Sequence, residues 1–108
     1  MSRYLLISSR DPFECGETEG FFELASNLGR AGHTVKLLLV QNGVGAARRT
    51  LRDGMLQALH AAGVNVLADD FSLRERALPD AELASGVEKT SLDLVIDEMV
   101  LGTKTIWH

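Results

Sequence analysis

The stretch VLADDFSLRER, residues 66–76, ends an apolar segment on two adjacent carboxyl groups, Asp69 and Asp70, and follows them with Ser72 and Glu75. An acidic group at the end of a buried strand is the residue type that phosphoryl-accepting or magnesium-holding sites use. The same pair also suits the start of a helix, where each acidic side chain gains about 0.3–1 kcal/mol from the helix dipole. Ser72-Leu73-Arg74-Glu75 carries capping-box spacing, so capping is the simpler account. A phospho-acceptor site needs further acids after the first strand. That position reads Ser8-Ser9-Arg10, with Asp11 the nearest acid before Glu14, and Lys104 falls within the last strand rather than at its end.

Cys15 is the second residue able to do chemistry. A lone cysteine is most often a small buried hydrophobe, but this one sits among Glu14, Gly16 and Glu17 near a helix start. The helix N-terminus favours its thiolate and the glutamates oppose it. A single cysteine excludes an internal disulfide and a cysteine-based zinc cluster. His33, His60 and His108 are scattered without ligand spacing, so no metal is expected. The stretch CGET at 15–18 is a faint match to a phosphate-cradling loop, and Glu14, Glu17 and Glu19 oppose an anion there. No cofactor is expected. Arg48, Arg49 and Arg52 read as a solvated helix face.

The 108 residues favour one domain, 1–108, with a single core. A formal net charge of −4 argues against a nucleic-acid partner that reads a basic patch. The longest apolar run, Val35–Val40, is too short to span a membrane. MSRYLLISSRDP lacks the length and cleavage pattern of a signal peptide. The expected location is cytoplasmic.

Five apolar segments alternate with helical patterns. Strands are expected at Tyr4–Ser9, Thr34–Val40, Val64–Ala68, Val87–Lys89 and Thr103–Trp107. One helix starts near Thr18 and turns Phe21, Leu24, Ala25 and Leu28 inward until Gly32 ends it. A second, begun by Thr50 and Asp53, buries Leu51, Met55, Leu59 and Ala62. The last is expected to face Leu92, Val95, Ile96 and Met99 toward the sheet. Strand–helix alternation with short loops implies parallel strands and right-handed crossovers. The expected fold is α/β, a flavodoxin-like three-layer αβα sandwich with a mainly parallel five-stranded sheet. Its commonest small form has strand order 2-1-3-4-5, with ligands beyond the strand C-termini. That edge gathers Ser9, Arg10, Asn42, Gly43, Asp69, Asp70 and Ser72 as candidate ligand or partner contacts, with Cys15 as the candidate catalytic thiol. Phe13, Phe22, Leu101 and Trp107 are apolar residues beyond the core stripes, a surplus that copies of the chain could bury between them.

The blocks ASNLGRAGHTVKLLLVQNGVGAARR, AAGVNVLADDFSLRERAL and LASGVEKTSLDLVIDEMV, in this order and spacing, resemble the DsrE/DsrF-like sulfur-relay family over nearly the whole chain. The resemblance implies assembly into trimers or hexamers and, for some members, persulfide transfer between proteins during sulfur oxidation or tRNA thiolation. Sulfur-carrying members place a cysteine just after the third strand; here that position falls at or beside Asp69. A carboxylate cannot hold sulfane sulfur, which needs a nucleophilic thiolate. Non-catalytic subunits of the family also lack this cysteine. The resemblance therefore implies a DsrE-like protein of sulfur metabolism acting as a non-catalytic, oligomeric binding or regulatory subunit, with other sulfur-relay proteins as partners. The alternatives are a persulfide carrier using Cys15, and a receiver-like or small-ligand-binding α/β domain.

Overall fold

A computed structural model describes residues 2–13, 16–49 and 54–108. Five strands form one sheet: β1 (Arg3–Ser8), β2 (Thr34–Leu39), β3 (Asn65–Asp69), β4 (Glu88–Thr90) and β5 (Lys104–Trp107). All pairings are parallel, with Leu6 opposite Leu37 and Ile106, and Leu38 opposite Leu67. The helices are α1 (Glu17–Arg30), α2 (Gly54–Ala61), α3 (Asp70–Glu75) and α4 (Asp93–Val100), with a 3-10 helix at Gln41–Ala47. The central strands are apolar on both faces, as a sheet covered by helices on each side requires. The α/β three-layer expectation holds.

The strand order is β4-β3-β2-β1-β5, not 2-1-3-4-5. β2 lies between β1 and β3, and the order reverses between β1 and β5. Apolar runs mark β1, β2 and β3 as central without ranking them, so the runs do not decide which of the three sits in the middle. β4 and β5 are more exposed and polar, which suits the two edges. With right-handed crossovers, three successive steps in one direction put α1, α2 and α3 on one face, and the return step puts α4 on the other.

The larger core lies on the α1–α2 face, where Phe21, Phe22 and Ala25 meet Leu6, Leu37, Leu39, Leu59 and Val66. Phe22 belongs to this core rather than to a surface surplus, and Leu24 takes the exposed position. On α2, Leu56 and Leu59 are buried while Met55 is partly exposed. Leu51 and the Thr50/Asp53 cap lie outside the described residues.

The smaller core, on the other face, joins Leu5, Ile7, Leu38, Val40 and Leu67 to Leu94 and Val95 of α4. Leu92, Ile96 and Met99 are exposed, contrary to the apolar stripe. Glu98 explains the roll of the helix. It is buried beneath α4, with Lys36 Nζ at 2.6 Å, Arg3 Nη2 at 3.0 Å and the Thr103 hydroxyl at 2.6 Å. Holding this carboxylate over Lys36 turns Leu94, Val95 and Glu98 to the sheet and leaves Ile96, Met99 and Val100 facing out. Burial alone would raise the Glu98 pKa, but hydrogen bonds from Lys36, Thr103 and Arg3 outweigh it and hold the group at about 2.

Candidate functional site

The candidate site forms where the loops after β2 and β3 meet at the C-terminal edge of the sheet. Asp69, the last residue of β3, is extended and caps α3. Its Oδ2 accepts from Ser72 N at 3.0 Å and from Ser72 Oγ at 2.7 Å. The expected capping role of Asp69 is therefore seen, with Ser72 in the first turn as its partner rather than in a Ser72/Glu75 box that shares the task. Both patterns share the same sequence; the strand runs one residue further than its apolar segment, and that shifts the helix start.

Ser72 also ties the neighbouring loop. Its Oγ accepts from the Gln41 backbone N–H at 2.9 Å, and Gln41 adopts a left-handed backbone, φ 51°, that non-glycine residues seldom take. Arg76 places Nε and Nη2 on Asn42 Oδ1 at 3.1 and 3.0 Å and Nη1 on Ser72 O at 3.4 Å. Gly43 is buried with its N–H on Val40 O, and any side chain there would collide with the Ser8 carbonyl oxygen. Asn42, Gly43, Asp69 and Ser72 thus belong to one assembly.

Asp70 turns away, its nearest cation being Arg74 at 3.9 Å across a half-exposed i,i+4 pair, an interaction worth at most about 0.5 kcal/mol. Ser9 joins the end of β5: its Oγ accepts from Trp107 Nε1 at 3.2 Å and donates to His108 O at 3.2 Å. Arg10 is exposed at the same edge. Cys15 lies outside the described residues.

A phosphoryl-accepting arrangement is not assembled. Asp69 is 3% exposed and occupied with Ser72. Lys104 pairs with Tyr4 at the opposite end of the sheet, its Nζ 5.4 Å from the tyrosine ring centre. Among the described residues no cluster of three or more His, Cys, Asp or Glu could hold a metal ion, and no helix is long and apolar enough to cross a membrane.

What the residue-by-residue reading missed is a groove of about 600 Å³ beside the cap, on the α4 face. Its floor is Ile7, Leu38 and Val40, and α4 contributes Leu92 and Val95. Phe71 and Trp107, 60% and 66% exposed, stand at its margin. Gln41, Asp69, Ser72, Glu75 and Arg76 supply its polar lining. The volume falls within the usual range of small-molecule sites. The available signal was alternation in β5: Trp107 sits opposite Ile7 and so shares its face. That inference needs β5 beside β1, which only the strand order shows.

No family model matches the chain, and no curated protein sequence matches it significantly. Solved structures do. The ychN protein of E. coli superposes with a TM-score of 0.86 at 20% identity over 100% of both chains. MTH1491 of Methanobacterium thermoautotrophicum, a protein of unknown function, gives 0.85 at 20% identity, again over 100% of both chains. BT1422 of Bacteroides thetaiotaomicron, also of unknown function, gives 0.73 at 14% identity over 97% of this chain and 94% of that one. At these identities the likeness is one of fold, and it spans the whole of a single α/β domain.

Proposed function

We propose that the chain is a self-associating, non-catalytic binding subunit of a DsrE-like sulfur relay. The observation that carries this is the end of β3. The position at which the resemblance implies a cysteine in sulfur carriers falls at or beside Asp69, which is buried and bonded to the backbone and hydroxyl of Ser72. A carboxyl group there cannot take up sulfane sulfur, and this one is already committed to a helix cap. The groove next to it offers apolar surface, and its described lining residues include no thiol. Self-association is supported by the outer face of α4, where Ile96, Met99, Val100 and Leu101 are each more than half exposed. Contiguous apolar surface of this kind marks an interaction site, and a second copy of the chain can cover it with the same patch.

The test is intact-mass measurement after incubation with glutathione persulfide, on the wild-type chain and on Cys15→Ser. The expected result is no stable gain of sulfur in either. A gain of one sulfur in the wild type that is absent from Cys15→Ser would make the protein a carrier and overturn the proposal.

A further inference from the structure

We propose that one water molecule is built into the α1 face of the sheet, bridging the hydroxyls of Ser8 and Thr18 and the imidazole of His108. The inference does not depend on the binding-subunit reading. It starts from buried polar groups that the fold leaves unmet. Among the described residues, five buried side-chain polar atoms have no hydrogen-bond partner, and four of them belong to these three residues: Ser8 Oγ, Thr18 Oγ1, His108 Nδ1 and His108 Nε2. Ser8 and Thr18 are 0% exposed. A hydroxyl buried without a partner costs free energy.

The topology brings the three side chains to one place. His108 N bonds to Ile7 O and Ser9 N to His108 O, both at 2.8 Å, which sets His108 opposite Ser8 one step beyond the Ile7–Trp107 pair. Ser8 follows Leu6 by two residues and so shares its face, the one on which Phe21 and Phe22 of α1 pack. His108 stacks on Phe21 with ring centres 5.0 Å apart. Thr18 precedes Phe21 by three residues and Phe22 by four, on the same buried side of α1. Two hydroxyls and an imidazole, each able to donate and to accept, therefore meet where β1, β5 and the first turn of α1 come together.

The surroundings select a small neutral occupant. Glu17 and Glu19 stand in the first turn of α1 and oppose an anion. The Glu17 carboxyl group is 81% exposed and its Oε2 lies 3.6 Å from His108 Nε2, so it neither completes the imidazole nor adds a buried charge that would hold a cation. The Gly43 backbone presses on the Ser8 carbonyl from the side of the β2 loop, which leaves no path for a larger molecule. Water fits these conditions: it donates and accepts, and a buried water takes two to four polar partners.

The sign of a stability change separates a hydrated cluster from a dry one. Replacing a hydroxyl that bonds a buried water destabilises the fold, whereas replacing an unmet hydroxyl by an apolar group of the same shape relieves a cost. Thr18→Val, Thr18→Ser and Ser8→Ala are compared with the wild-type full chain by thermal denaturation and by oxygen-17 relaxation dispersion, which counts long-lived internal waters. The expected result is a melting temperature lowered by several degrees and one internal water fewer in Thr18→Val and in Ser8→Ala, with Thr18→Ser retaining the wild-type count. A melting temperature that is unchanged or raised in Thr18→Val would overturn the proposal. So would an internal-water count that is the same in the wild type and in both hydroxyl-free variants.

Discussion

On the α1–α2 face of the sheet, Phe22, Leu37, Leu59 and Val66 are at most 2% exposed and two helices close the surface. On the opposite face a single eight-residue helix, α4, covers the sheet, seated on Leu94, Val95 and a buried ion cluster. It leaves the C-terminal ends of β1 and β2 open as the groove and its own outer side apolar and exposed. One face holds the larger core, and the thinly covered face holds the groove and the exposed apolar side of α4.

The comparison can be broken most directly on the closed face. Phe22→Ala is expected to cost about 3–5 kcal/mol, read from chemical denaturation. A loss below about 1 kcal/mol would mean that the α1–α2 core is not the main source of stability.

The next effect belongs to Glu98. Glu98→Gln leaves Lys36 and Arg3 without their carboxylate; because both cations reach solvent, the expected loss is about 1–3 kcal/mol, below the full cost of breaking a buried pair. The pH dependence has a definite sign. The folded-state pKa is lowered from 4.5 to about 2, so the unfolded chain binds more protons between those values. The stabilisation by Glu98 is complete above pH 4.5 and is lost as pH falls toward about 2. Denaturation curves of the two proteins should therefore stay a constant distance apart above pH 4.5 and converge below it. A separation that grows on acidification would contradict this account.

The smallest effect on folding is expected on the outer side of α4. Val100 is 81% exposed, so Val100→Glu should change the stability of the isolated chain by less than about 0.5 kcal/mol. If that side joins copies of the chain, the same substitution should lower the mass measured by light scattering toward that of one chain. An unchanged mass, whether of one chain or of several, would remove α4 from the interface.

Much of the fold was legible in the residues. Strand and helix positions followed from the apolar runs of β1, β2 and β3 and from glycines such as Gly32 and Gly63 at the helix ends. The site was legible in part. Asn42, Gly43, Asp69 and Ser72 come together because each follows the C-terminal end of a parallel strand, while Asp70 and Arg10 share that edge without joining the network. Asp69 was legible as a helix cap, but the added Ser72/Glu75 box was not formed, because hydrogen-bonding side chains at 69, 72 and 75 satisfy two overlapping spacings and only the strand's true end chooses between them. The inward face of α4 was misplaced for a different reason. Apolar periodicity assigns Ile96 and Met99 to the core, but it carries no term for Glu98 meeting Lys36 from a distant strand.

The sequence by itself determined the strand–helix alternation, hence a parallel α/β sheet, and it determined that no thiol ends the third strand. These are local properties, set by apolar runs, helix breakers and the identity of one residue. Tertiary structure decided the strand order, the roll of α4 and the groove. Each depends on which segments become neighbours: β5 must lie against β1 before Trp107 reaches Ile7, and α4 must cross β2 before Glu98 finds Lys36. Contacts between residues tens of positions apart are fixed by packing and charge pairing in three dimensions, and no window of sequence contains both partners.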